Sequence, residues 1–422
     1  MSTSVYTTNY IDKQPMPSLL QYTVIAWVIY ISGVVTVAYQ NFLVVAIGTG
    51  LMTALLLFQC RVIHVGRQET WLLVTVLLLL AITLVQFVLS VVSSHIYYGS
   101  LKMMLIFLFC LLVCKKIDLL SFSRKFTNII VFFAFSSCVL YWFNVSIVKS
   151  GIFPTVQTDK TTFYVNLFLY CINPAVMHRN CGIFWEPGAF QVFLNLSLLF
   201  VLFDKNASKR KAKIIILFIT LITTISTTGY CVAALILLSY LLQADWGKRF
   251  KIIALVSIAF LVLSSYFLPI IMQSFEYKFG LAGYSLSENV TSRFNPILLD
   301  LFIILDHPLG LMGVDYYAEV LSNYSVQYAL PYISSSCTLT MVPAVYGILA
   351  GVLLLVGLIS FGNLFSKKKG TSYLLAVALC VMFSTESFLL YPLYYLICFF
   401  ALKGGKDHNL LSRQLLPSGG TV

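Results

Sequence analysis

Long apolar stretches alternate with short polar segments along the whole chain. Runs of roughly 20 apolar residues recur from end to end, and a helix of that length crosses the roughly 30 Å hydrocarbon layer of a membrane. The pattern predicts twelve transmembrane helices, at 19–39, 42–58, 71–93, 97–114, 127–148, 183–203, 213–225, 229–243, 252–272, 338–362, 371–384 and 388–402.

Composition agrees with this pattern. The 422 residues are 59% hydrophobic and only 10% charged, which excludes an ordinary soluble domain. The polar stretch Met1–Ser18 carries Lys13 as its only cation, so we expect no cleavable signal peptide. The predicted fold class is therefore all-α: a single polytopic transmembrane bundle over residues 1–422.

The net charge of +12 follows the predicted topology. With both termini in the cytoplasm, 21 of the 27 basic residues fall on the inner side, as the positive-inside rule requires. The charge is thereby explained without a nucleic-acid partner. These residues are Lys13, Arg61, Arg67, Lys115, Lys116, Arg124, Lys125, Lys205, Lys209, Arg210, Lys211, Lys213, Lys248, Arg249, Lys251, Lys367, Lys368, Lys369, Lys403, Lys406 and Arg413.

Two turns decide the topology. Residues 213–243 are read either as one long tilted helix or as two helices that turn at Ser226–Gly229. A single helix would place Lys248, Arg249, Lys251 and the Lys367–Lys369 cluster outside, so the charges favour two helices. A second turn, at Ser384–Ser387, depends only on the cations that follow it.

Two long outer segments remain, 149–182 and 273–337, and we expect the active site there. Each contains an apolar stretch too short to span, 163–177 and 296–305, which predicts short interfacial or re-entrant helices. Asn295 followed by Pro296 is a typical helix start. The outer cations run against the positive-inside tendency and are candidates for anion binding: Lys149, Lys160, Arg179, Lys278 and Arg293.

The stretch HRNCGIFWEPGAF, residues 178–190, concentrates unusual chemistry. It places Arg179 and Glu186 at the mouth of an apolar run, where ionisable groups are functional candidates by default. Gly182, Pro187 and Gly188 interrupt regular backbone around the glutamate. The stretch predicts a polar site at a membrane surface.

Motifs of soluble enzymes are absent from the sequence. It has no Gly-x-Gly-x-x-Gly, Walker loop, His-Glu-x-x-His or Asp-x-Asp, and its cysteines lack metal-binding spacing, so we expect neither cofactor nor metal. Cys171 and Cys181 share an outer segment; a disulfide between them in an oxidising compartment is left open.

Three features make the chain resemble the superfamily of bacterial O-antigen polymerases and ligases, and most closely a Wzy-type polymerase. Arg179-x-x-Gly182-x-x-x-Glu186-Pro187 opens a span; Arg293 in the large outer loop precedes the segment DHPLG at 306–310; and Tyr346-Gly347 lies in the next span. The chain departs from that family at the turn 226–229, where Ser-Thr-Thr-Gly stands in place of a common Ser-Arg-Gly.

The resemblance implies a donor and an acceptor that are both oligosaccharides on polyprenyl diphosphate. Arg179 and Arg293 would bind the departing diphosphate, because a guanidinium offers a fixed fork of donors. Glu186 is the first candidate for the base and His307 the second. The other candidate substrate contacts are Trp185, Phe184 and Tyr332, which could stack on sugars, with Lys278, Asp315 and Glu386.

Each assignment has a structural alternative. Arg179 and Glu186 would form an ion pair if an unbroken helix carried both, and Arg293 could snorkel to a headgroup. His307 could cap the short helix before it, and Glu386 could simply mark an outer turn.

Three functions compete. The first is a polymerase of lipid-linked repeat units, located in the bacterial inner membrane with a periplasmic active site. It would act with a flippase and a chain-length regulator of the same pathway. The second is a ligase that transfers the glycan to a lipid or protein acceptor, and the third is a flippase. Unusual charges concentrated in outer loops favour an enzyme, and the Glu-Pro pair after Arg179-x-x-Gly favours a polymerase.

Overall fold

The computed structural model describes residues 16–35, 42–59, 69–92, 98–151, 153–157, 162–166, 169–243, 286–310, 313–330, 337–366 and 368–404. Within α10, side chains are described from Phe294 onward. The helices of this part are α1 (Ser18–Ile31), α2 (Phe42–Phe58), α3 (Thr70–Val92), α4 (Tyr98–Lys116), α5 (Leu119–Tyr141), α6 (Asn144–Ser150), α7 (Pro187–Phe203), α8 (Arg210–Thr223), α9 (Thr227–Gln243), α10 (Leu286–Asp306), α11 (Val314–Gln327), α12 (Thr338–Phe361), α13 (Lys369–Ser384) and α14 (Pro392–Leu402).

The predicted all-α class is confirmed, apart from one small sheet. Among the described residues, four helices are long and apolar enough to cross a membrane: Thr70–Val92, Tyr98–Lys116, Leu119–Tyr141 and Thr338–Leu364. Several shorter apolar helices accompany them. The predicted span 252–272 lies outside the described residues.

Both predicted helix breaks are present. The chain leaves α8 at Thr223 and enters α9 at Thr227, and it leaves α13 at Ser384 and enters α14 at Pro392. Several predicted boundaries are wrong: α1 ends at Ile31 instead of residue 39, α7 begins at Pro187 instead of residue 183, and α5 begins at Leu119 instead of residue 127. Helix α5 begins early because Asp118 caps it. The Asp118 carboxylate accepts a 2.8 Å hydrogen bond from the Ser121 backbone amide, so the helix starts in the polar residues that precede the apolar stretch.

Two helices form the centre of the bundle. Every residue of α14 from Pro392 to Phe400 is buried, and so is every residue of α7 except Gly188. Helices with little polar surface are buried either in a protein core or in lipid, and here other helices supply the surroundings. Helices α5, α8 and α9 pack on α7, and α4 and α12 pack on α14. The candidate site is built at the first turn of α7.

The first outer segment forms a sheet where the sequence analysis predicted an interfacial helix at 163–177. Strands β1 (Thr155–Gln157), β2 (Thr162–Asn166) and β3 (Tyr170–Ile172) pair antiparallel in that order. Phe163 and Cys171 pack into one cluster, while Tyr164, Tyr170 and Ile172 pack into another. Neighbouring residues thus point to opposite faces, a period of two that β-branched and aromatic residues favour.

The second outer segment contains α10 and α11, but α10 does not begin at Asn295. It begins at Leu286 and continues through Pro296. Asn295, Pro296, Leu299, Asp300 and Ile303 form a buried helical stripe. Burial of this stripe against the bundle outweighs the backbone hydrogen bond that proline removes.

Helix α12 is broken at Gly347, which has φ +84°. The loop after α10 fits into the break: Ile348 N donates to Pro308 O at 2.9 Å, and a Cβ at position 347 would lie 2.7 Å from Leu309 O. Gln86 of α3 donates a 2.7 Å hydrogen bond to Val345 O and so satisfies one carbonyl at the break. Two features of the family resemblance, DHPLG and Tyr-Gly, therefore lie in direct contact.

Candidate functional site

Glu186 stands at the N-cap of α7 in an extended conformation, with φ −155° and ψ 160°. Pro187 follows as the first helical residue, where its missing N–H costs nothing. The Glu186 side chain makes no capping hydrogen bond and is partly exposed. Its carboxylate is therefore not committed to capping the helix that begins beside it.

Glu386 lies against the same helix end, although it follows α13 in the chain. A Cβ at position 188 would collide with its Oε1 atom, so only glycine lets the carboxylate approach the first turn of α7. The residue is 7% exposed. The amide groups of a helix N-terminus stabilise a negative charge in that position. Thr338 holds the turn, since its hydroxyl donates to Glu386 O and accepts a 2.7 Å hydrogen bond from Phe388 N.

Arg179 completes the group. Its Nε donates a 3.1 Å hydrogen bond to Thr224 O, in the turn between α8 and α9. Burial lowers the pKa of Arg179, and the nearby acidic groups of Cys181, Glu186 and Glu386 counter that effect. Guanidinium pKa values lie so high that the side chain stays charged.

The ion pair that was the alternative for Arg179 and Glu186 is not formed. Among the described residues, the ion pairs within 4 Å are Lys115–Glu69 and Arg124–Asp204. Within the same part of the chain, the terminal nitrogens of Arg179 donate no hydrogen bond, and Nε alone is engaged. The charges of Glu186 and Glu386 act on the Arg179 guanidinium, but neither carboxylate forms an ion pair with it.

Asn180 fixes this arrangement, and the sequence analysis did not single it out. It is fully buried; its N and Nδ2 each donate at 2.9 Å to Thr223, to O and Oγ1, and its Oδ1 accepts from Gly182 N at 2.8 Å. The buried amide ties the arginine turn to the end of α8. The signal available in the sequence was a polar residue between Arg179 and an apolar stretch.

His307 and Asp315 make their described contacts elsewhere. His307 follows α10, with its N bonded to Ile303 O at 2.8 Å and its ring 6.5 Å from that of Tyr324. The backbone bond places His307 at the C-terminal end of α10. Asp315 accepts a 2.8 Å hydrogen bond from Gly99 N in the first turn of α4, so it joins α11 to that helix.

The aromatic candidates differ in what they can offer a sugar. Phe184 is 0% exposed and stacks on Phe190 and Phe193, so its predicted role as a sugar platform is wrong. Trp185 is partly exposed and stacks on Tyr391, with ring centroids 5.3 Å apart. Lys278 and Tyr332 lie outside the described residues, as does the side chain of Arg293, whose backbone belongs to α10.

The cysteines near the site are unbonded thiols. Cys171 and Cys181 are both buried, and burial raises the pKa of the Cys181 thiol to about 12. A thiol with so high a pKa is a poor nucleophile at neutral pH. Among the described residues, no group of three His, Cys, Asp or Glu side chains is placed to hold a metal ion.

Comparisons with known proteins leave the site to be interpreted from its own geometry. No protein-family model, curated protein or solved structure matches this chain.

Proposed function

We propose that this protein is a membrane glycosyltransferase that joins polyprenyl-diphosphate-linked oligosaccharide repeat units at the outer face of a bacterial inner membrane. The observation that carries the proposal is the convergence of Arg179, Glu186 and Glu386 at the first turn of α7. Transfer of a sugar from a lipid diphosphate needs a cation to bind the leaving group and a carboxylate to accept a proton. An arginine with its terminal nitrogens available and two carboxylates can supply both.

The donor sugar is already activated by its diphosphate leaving group, so no nucleotide is needed. Negative charge grows on that diphosphate as the glycosidic bond breaks. The terminal nitrogens of Arg179 would donate two parallel hydrogen bonds to it, an interaction that strengthens as the charge develops. The hydrogen bond from Arg179 Nε to Thr224 O limits the rotation of the side chain.

The acceptor hydroxyl must lose its proton during transfer. Glu186 suits this role because its carboxylate is partly exposed and uncommitted to helix capping. Glu386 suits a different one: it is buried beside Gly188 in the first turn of α7, where its carboxylate would help to position Arg179. His307 is retained as the second candidate base.

Arg179 also accounts for the departure from the family pattern. The turn between α8 and α9 lacks the arginine common in that family, yet Arg179 reaches this turn through Thr224 O. A guanidinium is therefore present at the turn, supplied by a different part of the chain.

The proposal includes twelve spans with both termini in the cytoplasm. The positive-inside distribution supports it, and the breaks at 224–226 and 385–391 agree with it. A reporter active only in the cytoplasm, fused after Lys368, should be active, and one fused after Gly151 should be inactive. The reverse result at Lys368 would contradict the topology.

Deleting the gene should leave surface glycan capped with a single repeat unit. Donor synthesis, flipping and ligation to the acceptor lipid would continue, while elongation would stop. Gel electrophoresis of extracted glycan would measure the loss of the ladder. An unchanged ladder would contradict any role in elongation, whereas loss of glycan of every length would indicate the ligase or the flippase.

Elongation should not need a divalent metal. Since arginine neutralises the leaving diphosphate, the purified protein should extend lipid-linked repeats equally well in EDTA and in magnesium. Product length on a gel would be the readout. Activity that disappears with the chelator and returns with magnesium would show that a metal, not Arg179, carries that charge.

A ligase is the second candidate, because it needs the same leaving-group chemistry and differs only in its acceptor. Purified protein given a lipid-linked donor and a lipid acceptor separates the two. Transfer to another lipid-linked repeat supports the polymerase, and transfer only to the second lipid supports the ligase.

A further inference from the structure

A polar pocket lies at the end of α7 opposite the candidate site. It has a volume of about 170 Å³ and is lined by residues from the first half of α5, the end of α7, the segment between α7 and α8, and the start of α8. Helix α7 has 17 residues, so the pocket and the candidate site are separated by about 25 Å at 1.5 Å per residue. The two are therefore distinct sites.

The carboxylate in the lining already accepts three hydrogen bonds. Arg124 donates to both oxygens of Asp204, from Nε at 2.6 Å and from Nη2 at 3.0 Å. The Asn206 amide donates to the same carboxylate at 3.0 Å. Asp204, which is 4% exposed, therefore holds Arg124 in place and has little capacity left for a further donor.

Donors in the pocket exceed acceptors. Lys213 donates one of its three protons to Asn128 Oδ1 at 2.6 Å, and the Asn128 amide is directed to Tyr22. Two protons of Lys213, the remaining nitrogen of Arg124 and the Ser208 hydroxyl stay without described acceptors. A group with several acceptor oxygens and a negative charge would complement them.

The position of the pocket along the helices further restricts which anion could bind there. Arg124 lies in the second turn of α5 and Lys213 in the first turn of α8, so the pocket lies at helix ends. In a membrane-spanning bundle, helix ends lie level with lipid headgroups. The exposed Lys205 and Lys209 add positive charge around the rim.

We propose that this pocket binds an anionic phosphate group. Its volume far exceeds the 10–15 Å³ or so that one water needs, and phosphate oxygens accept the fork of Arg124 and the ammonium of Lys213 together. Such a ligand would join α5, α7 and α8 at their inner ends. This inference is independent of the reaction at the other end of α7.

The test titrates full-length protein in detergent with fluorescent phosphatidylglycerol, then competes it with phosphatidylcholine or with inorganic phosphate at fixed ionic strength. Lys213→Gln should weaken phosphatidylglycerol binding about tenfold, the scale of a lost hydrogen bond to a charged group. The matched control is Lys211→Gln, which removes an exposed cation outside the lining and should have little effect.

Competition identifies the source of the phosphate. Displacement by inorganic phosphate supports a pocket that also takes soluble phosphate, and resistance to it supports a lipid headgroup. Ser208→Asp adds a charge at an exposed lining position and should weaken binding even if Lys213→Gln fails to fold. Equal weakening by both lysine variants, or unchanged affinity in Ser208→Asp, would overturn the proposal.

Discussion

Replacing Glu186 with Gln should reduce the rate of elongation by at least about 10²-fold, and by as much as about 10⁴-fold. The substitution keeps the volume of the side chain and its capacity for hydrogen bonds but removes the proton acceptor. Donor binding should be largely kept, because Arg179 is unaltered. Product length and initial rate with lipid-linked repeats are the measurements, together with the thermal stability of the purified variant.

Three comparison variants make that experiment decisive. Glu319→Gln alters an exposed glutamate of α11 and should leave the rate unchanged. Glu386→Gln removes the carboxylate packed on Gly188, so it should reduce stability as well as rate. A stable Glu186→Gln protein with near-normal elongation would refute Glu186 as the base, and His307→Ala would then be measured.

Replacing Arg179 with Lys should cost about 10² to 10³ in turnover, the usual loss when one donor to a developing anion is removed. Lysine retains the charge but cannot form two parallel hydrogen bonds while also reaching Thr224 O. The loss should therefore be larger in turnover than in donor affinity. Single-turnover kinetics with saturating donor would separate the two.

Arg210→Lys is the matched control for that variant. Arg210 lies near the other end of α7, where it donates to Val201 O and Leu202 O. Its replacement should lower the melting temperature without a selective loss of turnover. If both arginine variants lost stability and activity in parallel, Arg179 would be a structural residue and the diphosphate role would be wrong.

The helices could be predicted largely from the sequence, because an apolar run of membrane-spanning length has few other structures open to it. The predictions fail where contacts with distant parts of the chain, and not the local pattern, determine the structure. The sheet at 155–172 depends on two separate clusters that accept alternate side chains. The continuation of α10 through Pro296 depends on a buried stripe whose partner is distant in the chain.

The candidate site could be predicted in part. Arg179 and Glu186 lie in one short stretch, so the sequence alone brought them together. Glu386 was identified only as an outer acidic residue; its approach to Gly188 depends on the packing of α13 and α14 beside α7. Asn180 does not belong to any motif that the sequence displays. It matters because its side chain donates a hydrogen bond to Thr223 of α8, a contact that no local sequence pattern predicts.

The broken helix α12 has a consequence for recognising relatives of this chain. Lipid-facing positions can exchange one apolar residue for another with little penalty, so overall similarity fades quickly between distant homologues. Gly310 and Gly347 are under a different constraint, because a Cβ at either position would lie within 2.6 Å of the other segment's backbone. Distant relatives should therefore keep this pair of glycines, one just after α10 and one inside the long apolar helix α12, after the rest of the sequence has diverged.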